Sequence, residues 1–147
     1  MTDDAARRSL VLRLSAAPAR FAAATATWPT ADPRPGEWTA QQIALHLVAV
    51  ELEVFQERLR ELHQAGVPTW TWVEPGPASR EPDETIAQSL DRFAAARART
   101  LEEVGSLDEA GWLRFGEHAT LGRLDVAGLL VLASDHDAEH LAALTQD

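Results

Sequence analysis

Two histidines, His136 and His140, stand four residues apart in "SDHDAEHL" (134–141). On a helix, residues four apart share a face with Cβ atoms about 5–6 Å apart, so two imidazoles there can converge on one ion. They continue a stripe, Val126, Leu129, Ala133, His136, His140 and Ala143, whose steps alternate between three and four. Both imidazoles should therefore face the interior that this helix packs against. Spacing alone is weak support, because chance places some histidine pair four apart in roughly one such chain in eight. His46 strengthens it: it lies in "QQIALHLVAVEL", among almost entirely apolar neighbours. A lone buried imidazole costs free energy, and three imidazoles sharing a cation would remove that cost. Read by itself, His46 fits a core or edge histidine bonded to a carbonyl better than a ligand.

The chain has no cysteine, so any metal must be held by nitrogen or oxygen. The two other histidines read as structural. His63 lies at the polar end of a helix, where a cation complements the dipole. His118, in "FGEHATLG", reads as loop packing or the mouth of a cleft. A general base would be a nearby carboxylate, and Glu53, two helical turns after His46, is the candidate, with Gln42 one turn before it as an orienting group. Plain solvation is the alternative for both. Asp137 reads as a partner for a ligand imidazole or a neighbouring helix. Trp38, Trp70 and Trp72 lie in or beside loops, where they pack back on the core or cover a cleft.

Four helical stretches would position these residues, separated by breaks rich in proline and glycine. The first runs roughly from Asp3 to Thr27, with Leu10, Leu14, Ala17, Phe21 and Ala24 on one face and Pro18 expected to kink or divide it. Residues 28–37, "WPTADPRPGE", break the pattern. The second helix starts at Thr39, where "TAQQ" reads as a capping box, and runs to about Gln64 with a stop at Gly66. Its apolar stripes are Leu45, Val48, Leu52, Phe55 and Leu59, and beside them Ile43, Leu47, Val50 and Val54. The connection over 66–82 is long enough to suggest function. A third helix follows Asp83 as N-cap, carries Ile86, Leu90, Phe93, Arg97 and Leu101, and ends near Gly105. A short helical turn lies in "SLDEAGWL", and the fourth helix starts at Asp125 and runs to about Leu144. No strand competes with these assignments. The simplest way to bury four such stripes is an all-α four-helix bundle, one domain over 1–147.

Thirteen basic against 23 acidic residues give a net charge of -10, a field that repels phosphate backbones and anionic lipid surfaces. Nucleic acid is excluded as a partner on that ground. The longest apolar run, "VAGLLVLA" at 126–133, is too short to span a bilayer, and the start of the chain carries no signal-peptide core, so a soluble cytoplasmic protein is expected.

"EWTAQQIALHL" and "GEHATLGRLDVAGLLVLASDHDAEHLAAL" together resemble the two histidine segments of the DinB/YfiT-like superfamily, and the likeness in helix order covers nearly the whole chain. The resemblance implies an up-down-down-up four-helix bundle, commonly a homodimer, with His46, His136 and His140 as ligands of a divalent metal. Nitrogen ligation suits zinc, nickel or iron. It also implies a small-molecule enzyme: a hydrolase using metal-bound water, or an S-transferase using a low-molecular-weight thiol cosubstrate. The rival reading is a non-catalytic homodimeric bundle whose metal site is structural or vestigial.

Overall fold

The computed structural model describes residues 3–26 and 37–145, so Thr27 and most of the proline-rich break at 28–37 lie outside the described residues. Helix α1 (Asp4–Ala26) buries Leu10, Leu14, Ala17 and Phe21 of the face its spacing predicts, with Ala24 half-buried, and also buries Arg7. The second bundle helix is composite: α2 (Ala40–Val50), a π-helical segment (Glu51–Gln56) and α3 (Glu57–Leu62). Then come α4 (Ile86–Gly105), the short α5 (Glu109–Leu113) and α6 (Val126–Thr145).

Side-chain bonds give the helix directions. Gln41 bonds Ser89 and Gln56 bonds Thr100, so the second helix runs parallel to α4. The rings of Phe21 and Phe93 meet at 5.8 Å while Leu14 meets Arg97, so α1 runs antiparallel to α4. His46 meets His136 and Leu144 joins the cluster that holds Ala40, so α6 opposes the second helix. The result is the up-down-down-up four-helix bundle. No described helix is long and apolar enough to cross a membrane.

The expected capping box is present: the Thr39 hydroxyl accepts from the Gln42 amide, and the Gln42 side chain accepts from Thr39 N–H. Gly66, at φ +89°, takes the left-handed conformation that follows the helix end. The third helix is capped by Thr85 rather than Asp83, through a second box with Gln88. Asp125 caps α6 by accepting from Gly128 N–H at 2.8 Å.

Pro18 does not divide α1. Its missing amide orphans the carbonyl four residues back, that of Leu14, and Arg97 donates to that oxygen at 2.9 Å. Arg97 spends its remaining donors on Glu51 (3.1 and 3.1 Å) and Asp137 (2.7 and 2.9 Å). All three residues are buried, and they separate two apolar clusters, one around Leu14, Leu59 and Leu129, the other around Phe21, Leu47 and Phe93. Here the reading of Leu52 as a core residue is corrected: Leu52 is exposed and Glu51 is buried. The wide π turn changes which residues face inward, and the guanidinium makes a buried carboxylate tolerable.

The expectation that no strand forms is also corrected. β1 (Thr69–Trp70) pairs in parallel with β2 (Phe115–His118), which forms an antiparallel hairpin with β3 (Gly122–Asp125). Gly116 makes this packing possible, since a Cβ there would meet the Trp70 ring at 2.5–2.8 Å. Gly116→Ala is expected to destabilise the protein by about 1–3 kcal/mol through overpacking, read as a lowered chemical-denaturation midpoint. An unchanged midpoint would show that Trp70 moves aside freely.

Candidate metal centre

α2 and α6 carry the three histidines to one point. His46 Nε2 lies 3.0 Å from His136 Nε2, which lies 3.1 Å from His140 Nε2. All three ligand atoms fall within 4.8 Å of one another. On α6, the three-and-four spacing places the pair beside Ala133 on the face turned towards α2. On α2, His46 is buried, and its Nδ1–H donates to the Pro75 carbonyl at 2.8 Å. That bond selects the tautomer whose Nε2 lone pair points at the other two rings. Pro75 belongs to the long 66–82 connection, which thus orients His46, and a backbone bond from Ala78 to Leu45 at 3.0 Å ties it down.

Electrostatics keep the cluster neutral. Burial, then His140, His46 and Arg97, push the His136 imidazole down to about 3. Burial lowers His46 despite the Pro75 carbonyl, and burial with the charge of His46 lowers His140. Nitrogens bound 2.0–2.1 Å from a tetrahedral ion lie roughly 3.3 Å apart, close to the spacing seen. Three uncharged nitrogen donors converging on one point fit a divalent metal.

Trp38, half-exposed just before α2, walls one side, its ring 4.6 Å from His46 and stacked 6.3 Å from His140. Below the histidines opens a cavity of about 170 Å³. His46 and His136 line one end with Glu74, Asp135 and Glu139, and Val54, Phe55, Leu121 and Leu132 line its body. Trp72 also lines it, whereas Trp70 is buried in the sheet. Glu53 is exposed and is not among the lining residues. It sits on the π-helical segment, where a reading at 3.6 residues per turn no longer tells which side faces His46. Gln42 is spent on the helix cap, and Asp137 bonds the neighbouring helix through Arg97. His63 is exposed at its helix end, its Nδ1 bonded to the Leu59 carbonyl. His118 is buried in β2, where its Nδ1 accepts from Thr120 and Leu121 N–H and closes the hairpin turn.

The model of the DinB superfamily matches residues 9–144. The chain belongs to the DinB superfamily. Among solved structures this DinB-superfamily chain is similar to YfiT from Bacillus subtilis, described as "a probable metal-dependent hydrolase with an unusual four-helix bundle topology". The two share 16% sequence identity at a TM-score of 0.74, over 99% of this chain and 87% of YfiT. At that identity the likeness establishes the fold. No curated protein sequence matches.

Proposed function

We propose that the protein is a divalent-metal-dependent hydrolase of a small molecule, with the ion held by His46, His136 and His140. The observation that carries this reading is the convergence of three neutral Nε2 atoms, two of them from residues that line a cavity which also presents carboxylates. Three protein ligands leave a coordination position open, the pattern of catalytic rather than structural sites. When bound, zinc, nickel or iron would act as a Lewis acid and lower the pKa of a water in that position. The chain supplies the rest. Trp38 and the 66–82 connection shield the histidines, and the Pro75 carbonyl holds His46 in the required tautomer.

The proton-accepting role expected of Glu53 passes in this proposal to Glu139. It lines the cavity one residue before His140 and is electrostatically coupled to His46 and His140. Glu139→Gln is expected to retain metal and lose about 10²–10⁴ in turnover. Retained turnover would return the role to another carboxylate.

The first experiment is elemental analysis of untagged protein purified without chelator, wild type beside His46→Ala and His140→Ala. About one equivalent of metal, lost in both variants, is expected; no metal even after reconstitution overturns the proposal and leaves a non-catalytic bundle. Turnover of model electrophiles only with an added low-molecular-weight thiol would make the reaction S-transfer instead. A cytoplasmic homodimer is part of the proposal, its assembly read by sedimentation at several concentrations.

A further inference from the structure

Among the described residues three arginines are buried: Arg7, Arg58 and Arg97. Arg7 is paired with Glu109, and Arg97 with Glu51 and Asp137. Arg58, 8% exposed, has no carboxylate within ion-pair distance among the described residues. One of its terminal nitrogens donates to the Thr71 carbonyl at 3.0 Å, and its guanidinium lies 5.4 Å from the Trp70 ring centre. Glu61 acts on it only at longer range, and burial depresses its pKa without removing its charge. A buried, unpaired cation is costly, and this one lines the same cavity as His46 and His136.

The placement is a consequence of the composite helix. His46, Val50, Val54 and Arg58 step by four and all line the cavity. In a regular α-helix each step of four drifts by about 40°, so four such residues would spread off one face. The wider π turn between Val50 and Glu57 offsets that drift. Twelve residues correspond to about 18 Å along the axis. An arginine side chain leans back towards the helix N-terminus, which leaves on the order of 10 Å between guanidinium and imidazoles. Apolar side chains fill that interval, and Glu74, Asp135 and Glu139 make the histidine end unfavourable for a free anion.

We infer that Arg58 anchors the anionic end of an extended substrate, a carboxylate on an apolar body, and thereby presents its uncharged reacting group to His46, His136 and His140. The reacting end rests on the hydrolase proposal, whereas the anion site does not. The test therefore uses chelator-treated, metal-free protein, in which a carboxylate cannot bind through an ion. Calorimetric titration with 4-phenylbutyrate and its uncharged amide is expected to show the acid binding about tenfold or more tighter. Arg58→Met should abolish that preference by weakening the acid far more than the amide. Arg58→Lys, which keeps the charge and loses the planar fork, should fall between the two. Equal binding of acid and amide, binding of neither, or a full preference retained in either variant would overturn the inference. Should Arg58→Met misfold, the wild-type ratio and Arg58→Lys still decide. Metal content is measured separately, so a protein without metal that still prefers the acid would sink the hydrolase and spare the anchor.

Discussion

Arg97→Met is expected to destabilise the protein by about 3–5 kcal/mol, the cost of leaving buried carboxylates without their counter-charge. For a chain of this length that corresponds to a melting temperature lower by roughly 10–15 °C. Arg97 is 2% exposed and Glu51 is 2% exposed, so water cannot replace the lost bonds. The substitution also strands the Leu14 carbonyl that Pro18 leaves free. Pro18→Ala restores an amide to that carbonyl and should recover more stability in the Arg97→Met background than in wild type. The non-additivity in this cycle is expected at about 0.5–3 kcal/mol. A loss below about 1 kcal/mol for Arg97→Met, or additive effects with Pro18→Ala, would show that the triad does not hold the two halves of the core together.

Arg97 also shows what could be read before the structure. It falls on the apolar stripe of its helix with Leu90 and Phe93, so its burial was visible in the spacing. Its partner Glu51 lies between the two apolar stripes of its helix, four residues after Leu47 and four before Phe55, but a lone carboxylate there reads as surface until its counter-charge is known. Nothing in "ELEVFQ" announces the π-helical segment. The same segment explains Glu53, which two regular turns would bring under His46, and Arg58, whose place on the His46 face a regular period hides. The Thr85 cap, by contrast, was present in "TIAQ" with the same spacing as "TAQQ" at Thr39.

The histidine cluster was legible because it needs only two local facts, a three-and-four stripe on one helix and an ionisable residue in an apolar run on another. The sheet was not. Its strands are two to four residues long, too short for an alternating pattern to stand out, and they depend on a glycine that admits an indole from a strand distant in sequence. Direction within the bundle came from the family resemblance, and the bonds from Gln41 and Gln56 to α4 give it a physical basis.

Metal-free protein is expected to lose stability steadily as pH falls below about 6.5, and a bound divalent ion should oppose that loss. The imidazoles of His46, His136 and His140 are all held below their ordinary value in the folded chain, chiefly by burial. Below 6.5 the unfolded chain therefore binds more protons than the folded one, and stability falls with pH. For His136, whose folded value is about 3, the loss continues through that whole interval. Each unit corresponds to about 1.36 kcal/mol, so this residue alone withdraws on the order of 2 kcal/mol between pH 7 and pH 5. Well above 6.5 the three groups are neutral in both states and contribute no slope. An ion that binds only the folded form adds about 2.7 kcal/mol at a hundredfold excess over its dissociation constant. Denaturant melts between pH 7.5 and 5, with and without added zinc, measure both effects. His136→Asn should make the metal-free profile shallower, leaving the contributions of His46 and His140, and abolish the stabilisation by zinc. A metal-free profile that is level down to pH 5, or equally steep in His136→Asn, would mean that the cluster is not held neutral by burial.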